Sequence, residues 1–167
     1  MENILTHYQV SEQTMALLPA VQLEYDTTVL ERNKTLYIKK TPLQIMKRAC
    51  LDHGSSLEGR RAAVMHQTGY SRKVPIPISL HQNLYAFPTL SPTKFHCHWI
   101  FYHHVKFIKP LHSKHHLGYQ SNIFFKNGRS LQLKDSYYVL EKQMHRTAMC
   151  ILAFSEDDGS GLMERGM

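Results

Sequence analysis

Four basic side chains surround a short break in the stretch PLQIMKRACLDHGSSLEGRRAAV, residues 42–64: Lys47, Arg48, Arg60 and Arg61. Between them Gly54-Ser55-Ser56 reads as the turn of a helix-turn-helix. A helix start offers free N–H groups and the positive end of a dipole, which suits a phosphate. Ser55 and Ser56 add hydroxyl donors there, and Ser55 with Glu58 forms the S-x-x-E capping-box pattern for a second helix. Gly59 falls in the first turn, where Ala would favour the helix by roughly 1 kcal/mol, so a small residue there points to close approach of another backbone. Together these groups could hold a nucleic-acid backbone. The plainer reading is a helical hairpin whose Gly59 packs on the first helix and whose arginines are solvated.

A second constellation lies at Lys126-Asn127-Gly128-Arg129. Asn-Gly between apolar runs predicts a type I′ hairpin turn. In that register Phe124 faces Leu131 and Lys126 faces Arg129, and like charges opposite each other are destabilising. A phosphate between them would relieve the repulsion; equally, long side chains at a solvated tip splay apart. The twin bases Lys39-Lys40 and Arg72-Lys73, both near element ends, admit the same two readings.

Histidine raises a different chemistry. Seven of the twelve lie between residues 96 and 116: His96, His98, His103, His104, His112, His115 and His116. His96 and His98 would share one side of a strand, with Cys97 on the other, and imidazole suits zinc or copper. No acid or Cys pair accompanies them and the HExxH spacing is absent, so no metal site is expected. A His-rich metal-binding module or metal-dependent enzyme stands as the competing class. Protonation of these rings could instead tune DNA affinity. Walker, GxSxG and GxGxxG patterns are missing and carboxylates are scarce in the centre, so neither catalysis nor a cofactor is expected.

The charge map supports an anionic partner. Residues 32–134 carry seventeen Lys or Arg against Asp52 and Glu58 alone, a net +15 within a chain of net +7. Nucleic acid is the commonest partner for such a block. Single-stranded RNA remains open, because basic charge beside exposed aromatics suits it too. Cys50, Cys97 and Cys150 form no CxxC pair and read as reduced, buried thiols. No secretion signal or membrane-length apolar run is read from the sequence, so the expected location is the cytoplasm.

The elements that must position these residues define an α+β domain with an antiparallel β-rich core. Tyr8–Val10 with Thr14–Leu18 reads as a hairpin, and VQLEYDTTVL and KTLYIKK as strands joined by a turn at Glu31 to Lys34. A helical hairpin is predicted over about 42–67, opened by Thr41-Pro42 and broken by Gly54 as a left-handed cap. Prolines at 75, 77, 88 and 92 predict extended edge segments and turns, WIFYHHVKFI (99–108) one strong strand, and GYQSNIFFKNGRSLQLK a hairpin. A final helix is predicted over about 136–153, with Leu140, Met144, Thr147, Ala148 and Ile151 inward and Lys142, His145, Arg146 and Met149 outward. The domain would span 1–154, and the acidic, Gly-rich 155–167 is predicted disordered.

The stretches KTPLQIMKRACLDHGSSLEGRRAAV, NLYAFPTLSPTKFHCHWIFYHHVK, FKNGRSLQL and SYYVLEKQMHRTA, in this order, resemble the ComK family of competence transcription factors over roughly residues 8–154. The resemblance implies a DNA-binding activator of DNA-uptake genes, acting as a dimer or dimer of dimers on paired AT-rich boxes, mainly through the minor groove. Such grooves are narrow and strongly negative and draw in Arg and Lys. The helix-turn-helix is then expected to hold phosphates, through Lys39, Lys40, Lys47, Arg48, Ser55, Ser56, Arg60, Arg61, Arg72 and Lys73. Lys126, Asn127 and Arg129 are expected to enter the groove, on hairpin geometry alone. Family chains continue beyond the Phe154 position with an element that an adaptor protein seizes for a Clp-type protease. This chain reads SEDDGSGLMERGM there, so binding without adaptor-driven degradation is expected; an inactive remnant of the activator is the other possibility.

Overall fold

Trp99 and Ile100 point to opposite sides of one strand, and each enters a different core. The computed structural model describes residues 3–112 and 117–164, with side chains through Ser155. Its central layer is a seven-stranded sheet in the order β1 (Ile4–Leu5), β4 (Thr35–Ile38), β3 (Thr27–Glu31), β2 (Thr14–Pro19), β7 (Trp99–Phe101), β6 (Leu84–Pro88) and β5 (Ile76–Ser79). Only the β1–β4 pair is parallel. On one face lie α1 (Pro42–Asp52) and α2 (Leu57–Thr68), sealed by Leu17, Val29, Ile38, Ile76, Trp99 and Phe101 against Ile45, Met46, Leu57 and Val64. On the other lies a three-stranded antiparallel sheet, β10 (Ser130–Leu133), β9 (Ser121–Phe125) and β8 (Val105–Pro110). Met15, Phe87, Ile100, Ile108, Ile123 and Phe125 fill that second core, and α3 (Tyr137–Glu164) adds Leu140 to it and Cys150 to the first. Strands covered on both faces lose their alternation, which is why β5, β6 and β7 are buried throughout.

This is the α+β, antiparallel-rich architecture read from the sequence, with the helical hairpin and C-terminal helix in place. Several details differ. Tyr8–Val10 is not a strand; the N-terminal strand is Ile4–Leu5, added in parallel to β4. The run 99–108 is not one strand: a 3₁₀ turn at Tyr102–His104 breaks it, and its halves belong to different sheets. The β9–β10 hairpin is one residue out of the expected register. Phe124 pairs with Ser130 and Ile123 with Leu131, so that Ile123 and Leu133 lie on one face. Three residues, Lys126 to Gly128, make its turn, closed by Phe125 N–H to Arg129 O at 2.8 Å. Only Gly128 has a positive φ, at 93°, whereas a type I′ turn needs two. Helix α3 also runs on to Glu164, beyond the expected end near residue 153. The three cysteines are free and buried.

Candidate nucleic-acid interface

Thr41 starts α1 with a full capping box: its hydroxyl accepts from Gln44 N–H at 3.2 Å, and Gln44 Oε1 accepts from Thr41 N–H at 2.9 Å. This holds the Lys39-Lys40 corner beside the helix, with Lys39 N–H donating to Leu5 O at 2.9 Å. Lys40 and Arg48 line an open cleft of about 730 Å3 with His7, Tyr8, Gln44 and Asp52. Arg48 is partly engaged there, its Nε donating to Asp52 Oδ1 at 3.2 Å.

The start of α2 corrects the sequence reading. Ser56, not Ser55, is the N-cap, and its Oγ accepts from Gly59 N–H at 2.9 Å. A Cβ at position 59 would sit 3.1 Å from Ser56 Oγ and 3.4 Å from Ser55 Oγ, so the glycine makes room for these hydroxyls and not for another backbone. Glu58 occupies the same first turn, 3.5 Å from Lys47 Nζ. A hydrogen bond from its own backbone N–H, helped by Lys47, holds its carboxyl below the usual carboxylate range. The positive end of α2 therefore already faces a carboxylate.

Arg60 and Arg61, adjacent in sequence, serve different ends. Arg60 turns inward: Nη1 donates to Pro77 O at 2.8 Å and Nη2 to His53 O at 2.8 Å. It ties β5 to the last turn of α1, and that guanidinium is not free for a phosphate. Arg61 stays exposed and reaches Ser71 O at 3.2 Å. It shares a groove with Lys47, Ser91 and Thr93.

The Arg72-Lys73 turn is held from beneath by two polar residues of α3 that the sequence reading did not select. Gln143 is 1% exposed and donates through Nε2 to Lys73 O and Pro88 O, both at 2.8 Å. Arg146, expected outward, is 8% exposed; it donates to Gln143 Oε1 at 2.8 Å and to Arg72 O at 2.6 Å, and lies over the Tyr70 ring at 4.5 Å. Burial lowers its pKa. The only hint in the sequence was spacing, since positions 140, 143, 147 and 150 form one helical stripe. The side chain of Arg72 projects into solvent above this network.

The hairpin tip is not a free probe. Arg129 Nη1 donates to Glu31 O at 2.9 Å and its Nη2 to Thr35 Oγ1 at 2.8 Å, while Asn127 Nδ2 donates to Arg32 O at 2.8 Å. Of the three residues expected to enter the groove, Lys126 alone projects a charge, joined by Arg32 and Lys34 from the β3–β4 turn. Sequence reading had placed a turn there without assigning it a role. Beneath this ridge Tyr8 OH donates to Glu31 Oε2 at 2.6 Å, and burial pushes the phenol up. The ridge and the Lys39-Lys40 corner stand at opposite ends of β4, about 17 Å apart along an extended strand.

His96 lies in a turn and His98 outside any strand, its Nδ1 2.9 Å from His96 O. His104 Nε2 lies 2.8 Å from Glu12 O. Among the described residues no three His, Cys, Asp or Glu side chains converge as a metal site would require. His115 and His116 lie outside the described residues. Among the described residues the ion pairs are Lys34–Glu31, Lys47–Glu58 and Arg48–Asp52, which leaves Lys39, Lys40, Arg61, Arg72 and Lys126 without an acid partner.

A family model described as ComK protein matches residues 5–158. The chain is 33% identical over 153 residues to the competence transcription factor of Bacillus subtilis (strain 168), covering 91% of this chain and 77% of that protein. No solved structure matches.

Proposed function

The chain belongs to the ComK family, and from that premise we propose that it is a DNA-binding activator of competence-gene transcription. It acts as a binding protein, without catalysis or a cofactor, in the cytoplasm at the nucleoid. No helix among the described residues is long and apolar enough to cross a membrane.

The observation that carries the proposal is the placement of basic side chains at both ends of β4, with Lys39, Lys40, Arg61 and Arg72 at one end and Lys126 at the other lacking an acid partner among the described residues. One cluster is Lys39, Lys40 and Arg48 with Lys47, Arg61, Arg72 and Lys73 around the helical hairpin; the other is Arg32, Lys34 and Lys126 on the ridge where two hairpin tips meet. A separation of about 17 Å matches roughly five phosphates along one strand. The helical-hairpin cluster neutralises phosphates. Lys126 and Arg32 enter an AT-rich minor groove, whose narrowness concentrates negative potential. Ser55, Ser56, Arg60, Asn127 and Arg129 build the scaffold beneath these contacts. Paired boxes are read by two copies of the chain.

The test is a binding titration with a duplex carrying two AT-rich boxes and a G·C-rich scramble, at two salt concentrations. The expected result is preference for the AT-rich duplex, with affinity falling steeply as salt rises. Equal weak binding to both duplexes would refute the sequence preference and leave only phosphate attraction.

A further inference from the structure

The three-stranded sheet turns one face to the core and the other to solvent. Ile108, Ile123, Phe125 and Leu133 point inward. Strand alternation puts Phe107 and Lys109 of β8, and Asn122 and Phe124 of β9, on the outer face. Phe107 and Phe124 are register partners, with ring centroids 4.8 Å apart and planes inclined by 31°. Phe107 is 38% exposed. Lys109 Nζ sits 5.1 Å from its ring centre and 5.9 Å from that of Phe124, and Lys106 Nζ is 5.9 Å from Phe107. Asn122, the register partner of Lys109, has an amide oxygen shielded from solvent with no hydrogen-bond partner. At the end of the same sheet Lys134 lies 5.9 Å from the ring of Tyr119.

We propose that this face binds unpaired bases of single-stranded nucleic acid. Every base has a π face, and stacking on an aromatic side chain is tolerant of sequence. Phe107 and Phe124 offer two adjoining rings, while Lys106 and Lys109, already drawn over them, are in reach of the phosphates that follow the bases. Charge selects this occupant. The three strands contain no Asp or Glu, and an apolar protein surface docked here would strip water from two lysines without giving them an anion. The inference rests on this sheet's own residues and goes beyond the duplex reading.

The test uses the full chain and labelled dT12, rU12 and a closed AT-rich duplex, read by fluorescence anisotropy, with sedimentation in parallel. Wild-type protein should bind the single strands. Phe107→Ala should weaken that binding about tenfold, the size of one lost stacking contact, while duplex affinity stays unchanged and the fold remains cooperative in urea. Arg61→Ala should do the reverse, lowering duplex affinity alone. Phe107→Trp, which keeps a ring in place, should retain single-strand binding and guards against a folding defect in the alanine variant. The dT12 and rU12 arms distinguish DNA from RNA. The proposal is overturned if neither single strand binds, if Phe107→Ala leaves single-strand binding intact, or if its only effect is on self-association.

Discussion

Arg129 donates through Nη1 to the main-chain carbonyl of Glu31 at 2.9 Å, joining the tips of hairpins that belong to different sheets. The same guanidinium also reaches Lys34 O and Thr35 Oγ1. A β-hairpin tip alone would be mobile; one fork of donors makes two tips into one ridge and sets Lys126 beside Arg32. Hydrogen bonds from a charged donor contribute about 1.5–3 kcal/mol. Arg129→Ala should lower stability by about 2 kcal/mol in urea unfolding, and Arg129→Lys should recover less than half, because an ammonium lacks the planar fork. Full recovery by lysine would show that charge alone matters there.

Arg60 and Arg61 test the division between scaffold and contact. Arg60→Ala leaves Pro77 O and His53 O without their donor, and the expected loss is about 2–3 kcal/mol of stability. Arg61→Ala removes one exposed cation, and stability should stay within about 0.5 kcal/mol. Duplex affinity should instead fall, and the slope of log affinity against log salt should lessen by about 1. The two variants, compared by denaturation and by salt titration, should give opposite profiles; matching profiles would remove the assignment of Arg60 to the scaffold.

Gln143 should be among the residues least tolerant of apolar substitution. Gln143→Leu keeps the volume but strips Lys73 O and Pro88 O of a donor and Arg146 Nη1 of its acceptor. Unsatisfied buried groups cost about 1–3 kcal/mol each, so a loss of about 3 kcal/mol is expected. Lys73 has a positive φ of 48°, which persists only where neighbours enforce it. Amide hydrogen exchange at residues 70–74 should therefore accelerate more than at β9. Uniform acceleration across the chain would mean that the network stabilises the whole fold and not this turn.

Elements with local causes were legible in the sequence. Thr41-Pro42, Gly54 and the apolar stripe of α1 specify that helix by capping, backbone freedom and periodicity, and all three are seen. Features set by a distant partner were hidden. Nothing in the string Arg60-Arg61 says which guanidinium turns toward Pro77, because β5 arrives from seventeen residues away. The run 99–108 reads as one strand because apolar residues continue through the point where the chain leaves one sheet for the other. Arg146 reads as surface because polar side chains are usually exposed, Gln143 is not singled out at all, and their carbonyl partners lie 55 to 74 residues upstream. The basic block was visible as a charge count; which of its members face solvent was not.

Acidification should weaken the fold while strengthening DNA binding. Burial is the leading cause that holds His98, His103 and His104 below the ordinary imidazole pKa, and Lys126 adds to it at His103 and His104, as does Arg32 at His104. In the unfolded chain these rings titrate at about 6.5. A depressed folded pKa means that the unfolded state binds protons first. The stability these rings contribute is thus fully present above about pH 6.5 and is lost as pH falls through their folded values. Burial raises the carboxyl of Asp135, an opposing effect that enters only in the carboxylate range below. Urea midpoints should therefore be lower at pH 5.5 than at pH 7.5. A phosphate set against the Arg32–Lys126 ridge reverses the local sign: it offsets the cations that repel a proton from His103 and His104 and raises their pKa. Binding should then take up protons, and duplex affinity should rise between pH 7.5 and 6. His104→Gln should flatten both profiles. An affinity independent of pH, measured beside a normal loss of stability, would place the duplex away from this ridge.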